Sequence, residues 1–365
     1  MNRDSLIPGT RVILAALTGV LAVGALSAAQ AAPAATRACG HVSGPFHVSG
    51  SAVYNARGQR YVPYGINLTP LKPDAAGGYG VSGQIAQENA AAAAWCVNTV
   101  RIGVSQGDLI TGGRVNAAYL SAIAVVVSHA STLGLDTVLS LGGPPHPAGT
   151  PSLPEASTLA AWRVLAARYK SDPRVIFDVF NEPTGPWPLW RNGGHAGGVT
   201  YYGMEYVARY IRAQGAHNLL WIEGNNRAGN LTGIPAYHLT GAGPLMYGEH
   251  RPPAPHTPAS WWHWFASVTT RYPVVVGEWA DYSRTGAPWA CWDDAPTAVS
   301  GFLAYLARLR IGLVAYDLAR PRLLESASLA DPNHIRANWR CISGLNEGAG
   351  HQIMRWFRLH NKTTP

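Results

Sequence analysis

Two glutamates follow closely on runs of buried-type residues. Glu182 stands in VIFDVFNEPTG (175–185), where Val, Ile and Phe give way abruptly to Asn-Glu-Pro, and Glu278 ends the run PVVVGE (273–278). A carboxylate just beyond an apolar strand either caps the next helix, pairs with an arginine, or points into a cleft. One such residue leaves those readings open. Two of them, 96 positions apart and each followed by tryptophans, favour a cleft. Two carboxyl groups flanking a cleft can divide proton transfer and nucleophilic attack between them, the chemistry that breaks a glycosidic bond. What must bring them together is the fold.

Eight short β-branched runs recur along the chain, at 60–67, 98–104, 136–141, 175–180, 219–223, 244–249, 273–278 and 311–316. Ala-rich or amphipathic segments separate most of them, although the stretch between the fifth and sixth is too short and Gly/Pro-broken for a full helix. Strands alternating with helices predict parallel βαβ units, and eight in one domain predict an α/β protein with a closed (β/α)8 TIM barrel. An open doubly wound sheet would carry a Gly-rich turn after its first strand; YGINLTPLKP has none. Ahead of the first run, FHVSGSAVYNARGQRYVPYG reads as an N-terminal β-hairpin about NARGQ that caps the bottom of the barrel. In a barrel the carboxyl ends of the strands face the mouth. Strand four then delivers Glu182 and strand seven Glu278, from opposite sides.

The first residues are set apart from this fold. Arg3 and Arg11 precede or open an apolar stretch, and Ala29-Gln30-Ala31 offers a small-x-small cleavage site. This is the layout of a secretory signal peptide at 1–31, leaving 32–365 as a single catalytic domain that is exported and free of the membrane after cleavage. The net charge is +8, but charged residues are only 13% and no basic run occurs. Nucleic acid is therefore not an expected partner. Cys39, Cys96, Cys291 and Cys341 form no CxxC pair, which excludes the common metal and redox motifs and suggests two disulfides. Cys39 and Cys96 fall at the bottom of the expected barrel, and Cys291 and Cys341 in neighbouring top loops, so the pairing Cys39–Cys96 and Cys291–Cys341 is predicted.

NEP after strand four, GEW after strand seven and VRIGVS at strand two resemble glycoside hydrolase family 5, the cellulase-type family of clan A. The opening FHVSGSAVYNARGQRYVPYGIN resembles that family as well, and the likeness runs over roughly residues 43–318. The resemblance implies roles. Glu182 would be the general acid/base and Glu278 the nucleophile of a retaining reaction, with negative Glu278 helping to keep Glu182 protonated. Arg101 would hold Glu278 ionised, Asn181 would bond a sugar 2-hydroxyl, and His250 in MYGEHRP matches the histidine after the family's sixth strand. Three positions depart from the pattern. Gly142 stands where a histidine is usual, leaving His146 to substitute from further along the loop; Pro252 replaces an aromatic; and Tyr316, or else Asp317, takes the place of the tryptophan that floors the site. The expected partner is a polysaccharide or oligosaccharide, the expected state a monomer, and no metal or organic cofactor is implied.

Thirteen tryptophans are available for sugar stacking or for packing. Trp187, Trp190, Trp279, Trp289 and Trp292 fall in expected mouth loops. Trp95, Trp162, Trp221 and Trp356 read as core, and Trp261, Trp262 and Trp264 as helix packing. Two other readings compete with the two-glutamate hydrolase. GVSQG (103–107) fits the G-x-S-x-G nucleophile elbow of a serine esterase using Ser105. Such an elbow needs a helix immediately, whereas DLITGGRVNAA reads as a loop. A non-catalytic carbohydrate-binding barrel would be expected to lack one glutamate, and neither is missing.

Overall fold

All eight runs join one closed parallel sheet. The computed structural model describes residues 39–74, 78–144, 146, 149–250, 257–279, 296–320, 322–332 and 350–362; the expected leader 1–31, Cys291, Cys341, Trp289, Trp292 and Pro252 lie outside the described residues. Barrel strands one to eight are Tyr64–Asn67, Thr99–Ser105, Asp136–Gly142, Val175–Asp178, Leu220–Glu223, Leu245–Glu249, Val274–Trp279 and Gly312–Ala315. Each pairs in parallel with the next, and the eighth closes on the first. The architecture is a (β/α)8 TIM barrel, and Ala38–Pro365 forms one compact unit.

Helices fill the connections, and their starts are written in the sequence. Asn116 caps Ala117–Thr132 by accepting from the Tyr119 N–H, and Glu155 with Thr158 makes a capping box on Ala156–Tyr169. Thr257 caps Pro258–Trp264, which has proline in its first turn. Between strands five and six only the four-residue helix Ile234–Tyr237 forms, as the broken sequence there implies. Among the described residues no helix is long and apolar enough to cross a membrane.

Strand residues alternate between two cores. Outward positions such as Ile102, Leu139 and Phe177 pack against the helices, with Phe177 meeting Trp162 at 5.1 Å between ring centroids. Inward positions Val138, Ile176, Trp221, Met246, Val275 and Val314 fill the lower barrel. The cap closes this end with Phe46, Val53 and Tyr61. It is a three-stranded antiparallel sheet, Phe46–Ser49, Ala52–Asn55 and Arg60–Tyr61, one strand more than the expected hairpin. NARGQ makes the turn between its last two strands, where Asn55 Oδ1 accepts from the N–H groups of Arg57 and Gln59, both at 3.0 Å. The run 60–67 is divided at Val62-Pro63, so its first half joins the cap and its second the barrel. Cys39 and Cys96 are bonded, with sulfurs 2.04 Å apart.

Candidate active site

The upper half of the barrel interior is polar, and Arg101 stands at its centre. Its guanidinium reaches acceptors on five strands or their ends. Nε and Nη2 donate to Asp178 Oδ2 at 3.0 and 2.8 Å, Nη1 to Asn67 Oδ1 at 2.8 Å and to Glu278 Oε1, and Nη2 to Ser140 Oγ at 2.8 Å. Nη2 also donates to Asn181 Oδ1 at 2.6 Å and Glu223 Oε1 at 2.8 Å. Burial works against this positive charge, but Asp178, Glu278 and Glu223 outweigh it and raise the pKa of Arg101. A planar guanidinium suits so many simultaneous acceptors; a lysine would not.

Glu278 arrives in the mouth by a break in strand alternation. Val275 and Gly277 face the barrel interior, so strict alternation would turn Glu278 outward and Trp279 inward. A register shift between Val276 and Trp279 reverses this, as a β-bulge does. Glu278 reaches Arg101, while Trp279 is 1% exposed and packs on Phe302 with ring centroids 4.6 Å apart. The expectation that Trp279 stacks on a sugar is corrected on this ground: its ring belongs to the core. Trp190 is likewise buried, donating to the Glu223 carbonyl at 3.2 Å. Trp187 is half-buried and stacks on Tyr237 at 6.1 Å.

Strand four stops at Asp178, two residues short of the expected end, and the chain continues through Asn181 to Glu182. Glu182 has left-handed backbone, φ 52°, a conformation that costs a non-glycine residue roughly 1–2 kcal/mol. Its N–H donates to Glu223 Oε2 at 2.5 Å. The Glu182 side chain is 39% exposed and that of Glu278 18%, so both open on the cleft.

His250 lies between them. Its Nδ1 is 3.5 Å from Glu182 Oε1 and 3.6 Å from Glu278 Oε2, and its Nε2 is 2.8 Å from Glu223 Oε1. These are ion-pair approaches whose angles fall short of aligned hydrogen bonds. Burial opposes charge on the ring, yet Glu223 and Glu278 overcome it and raise its pKa well above the usual histidine range. One ligating atom from each of Glu182, His250 and Glu278 lies within 4.8 Å of the others. That spacing would suit a metal ion, which the His250 ring could ligate only through a nitrogen that carries no proton.

Asp178 and Glu223 are buried neighbours that share the Arg101 guanidinium, each at 2.8 Å. Burial and the neighbouring Glu223 charge push Asp178 well up. Burial would push Glu223 up as well, but His250 and Arg101 bring it below the usual range. These directions favour the proton on Asp178 and the negative charge on Glu223.

Sequence reasoning missed Asn67, Ser140, Asp178 and Glu223. A signal was present: each is a polar residue at the upper end of an otherwise apolar run, in YGIN, VLSLG, VIFD and LWIE. Tyr316 follows strand eight, half-buried, with the Arg322 guanidinium 4.4 Å from its ring centroid. Asp317 is buried and pairs with Arg322 at 2.6 Å; burial lifts its carboxyl to about 6. His146 lies exposed on the loop after strand three. Ser105 differs from expectation, because a short helix, Gln106–Leu109, does follow it. Its hydroxyl caps that helix by accepting from the Asp108 N–H at 3.1 Å, and its backbone is extended at φ −80° rather than strained like a nucleophile elbow.

Solved structures share this architecture. They include a β-glucanase from Saccharophagus degradans (TM-score 0.62, 19% identity, covering 80% of this chain and 90% of that one). The catalytic domain of Thermobifida fusca endoglucanase Cel5A aligns with TM-score 0.63 and 14% identity over 87% of this chain and 98% of that one. A variant of that domain in complex with cellotetraose aligns with TM-score 0.60 and 13% identity over the same shares. A match to the cellulase family, glycosyl hydrolase family 5, spans residues 55–320, and the chain belongs to that family of glycoside hydrolases.

Proposed function

We propose that the protein is an exported, retaining β-glycosidase, acting within chains of a β-1,4-glucan or β-mannan. The observation that carries the mechanism is the approach of Glu182 and Glu278, with ligating atoms within 4.8 Å. Retaining pairs stand about 5–5.5 Å apart, whereas inverting pairs need about 6.5–9.5 Å to admit a water between carboxylate and sugar.

In this reading the Glu278 carboxylate attacks the anomeric carbon as the glycosidic C–O bond breaks. Glu182 gives its proton to the departing oxygen. Water then attacks the glycosyl-enzyme ester, Glu182 takes the water's proton, and Glu278 leaves as carboxylate. Two inversions return the original configuration. Arg101, bonded to Glu278, keeps the nucleophile ionised and aimed. Arg101 also holds Asn181 by its carbonyl oxygen, which directs the amide N–H groups toward a sugar 2-hydroxyl. Tyr316, at the upper end of strand eight, supplies the floor of the sugar site. The β-glucanase and endoglucanase structures support a β-glucan substrate. The leader at 1–31 supports secretion, which suits a polymer too large to enter a cell.

The test is sugar release by residues 32–365 from cellulose, mannan, xylan and β-1,3-glucan. Glu182→Gln and Glu278→Gln should each lower hydrolysis by about 10³-fold or more, and Ser105→Ala should leave it intact. Cleavage of an ester that requires Ser105, or binding of a glycan with no cleavage, would overturn the reading.

A further inference from the structure

Glu223 is fully buried at the end of strand five, and no motif draws attention to it. Its two oxygens bridge three parts of the machinery. Oε1 accepts from Arg101 Nη2 and lies against His250 Nε2, both at 2.8 Å; Oε2 accepts from the Glu182 backbone N–H. We propose that Glu223 is a positioning residue for the reaction, one that clamps Arg101, His250 and the strained Glu182 backbone together and supplies the negative charge that balances the His250 ring beside the two glutamates. The inference rests on the roles given above to Glu182 and Glu278.

Charge balance makes the case. Glu223 faces Arg101, Asp178 and His250; His250 faces Glu223, Glu182 and Glu278; Glu278 faces Arg101, His250 and the buried Asp317. With Asp178 protonated, two cations, Arg101 and His250, stand against two anions, Glu223 and Glu278. The buried set is then neutral, and Glu182 can carry a proton to a leaving group without creating an unpaired buried charge. Without the Glu223 charge, the set gains one uncompensated positive charge, with His250 Nδ1 3.5 Å from Glu182 Oε1. An adjacent cation favours the ionised carboxylate. Glu182 would lose its proton too early to serve as an acid. The same carboxylate also holds the Glu182 backbone where it is left-handed, φ 52°, so one buried residue governs both the aim and the charge of the acid.

Glu223→Gln removes the charge while its one amide oxygen can still accept from the Glu182 N–H; its NH2 then replaces the acceptor that faces Arg101 and His250. The alkaline limb of its pH–rate profile on the cleaved glycan should move down by about one pH unit. Rates near neutral pH should fall about tenfold, and far less on a dinitrophenyl glycoside, whose leaving group needs no proton. Glu223→Asp keeps the charge on a shorter arm, so the limb should stay in place while the rate falls at all pH values. The second readout needs no turnover: in protein with isotope-labelled histidine, the His250 ring should titrate at lower pH in Glu223→Gln than in the parent. A His250 titration that does not move overturns the proposal, as does a uniform loss of rate with an unmoved limb. If the parent cleaves neither glycan nor aryl glycoside, the glycosidase reading fails by itself, and the His250 titration still decides the role of Glu223. If Glu223→Gln does not fold, His250→Asn decides: with the ring 3.5 Å from Glu182 replaced by a neutral group, the alkaline limb should move up, and an unmoved limb overturns the charge-balance account.

Discussion

The two halves of the barrel interior are built from the same strands and obey opposite rules. Strand four sends Ile176 inward below and Asp178 above; strand five sends Trp221 and Glu223, strand three Val138 and Ser140, and strand six Met246 and His250. Below, the inward side chains are mostly apolar, with buried Thr99 and Asp136 as polar exceptions, and the cap seals the end with Phe46, Val53 and Tyr61, whose hydroxyl lies 2.7 Å from Thr99 Oγ1. Above, nearly every one is charged or hydrogen-bonded to a charge. The lower half owes its stability to burying apolar area, about 25 cal/mol per Å². The upper half has no such source. Its charges are tolerable only as a set, since removing one partner strands another in a medium that solvates it poorly. Trp221 is the floor between the two, and it dictates the sequence above it. A Cβ on Gly248 or Gly277 would fall 1.8 or 2.4 Å from its indole, which explains why both strands place glycine just before their glutamates.

That contrast can be broken at either end. The largest effect is expected from Arg101→Met, which leaves Asp178, Glu223 and Glu278 without their shared cation. Urea unfolding should show a loss of about 3–5 kcal/mol, together with loss of hydrolysis. A change below 1 kcal/mol would mean that the upper half is not an interdependent set. Ile176→Val removes one methylene from the lower half. It should cost about 0.5–1.5 kcal/mol and leave the rate of hydrolysis within twofold of the parent. A larger drop in rate would show that the halves are mechanically coupled through strand four.

The smallest effect tests whether buried charge outside the barrel follows the same logic. Glu88, on helix Val81–Ala90, is buried and lies 2.6 Å from His129. Burial lifts its carboxyl from 4.5 to about 7, against the pull of His129. A carboxyl whose pKa is raised on folding favours the folded state while both states are protonated, and that advantage is lost as pH rises through the folded value. Stability should therefore decline from about pH 4.5 to about pH 7, and Glu88→Gln should flatten the decline. Parallel melting curves in parent and variant across that range would exclude Glu88 as its source.

Much of the architecture was legible because strand runs and helix caps are local signals. Glu182 and Glu278 stood out for the same reason, each closing a conspicuous apolar run. Glu223 closes one too, in LWIE, but an anion held beneath the surface by residues from three other strands or their ends has no local signature. Its partners are set by barrel closure. Trp279, expected in a mouth loop, belongs to the core because strand seven runs one residue past Glu278 and shifts register there, and nothing in VVVGEW marks the shift. Ser105 was misread more mildly: two glycines suggested loop, yet a side-chain cap was enough to start one turn of helix.

The irregularity in strand seven has a further consequence. A strand is a parity code, in which each residue's face depends on whether its distance from a reference is odd or even. The bulge changes that parity once, between Val276 and Trp279. Regular pairing there with every residue retained would leave the composition of the strand unchanged and exchange the destinations of its last two residues. An indole would enter the mouth, and a carboxylate would be driven against Phe302 in the core. The strand's one irregular step thus protects two sites at once, and neither the catalytic face nor the packing face could repair it without the loss of the other.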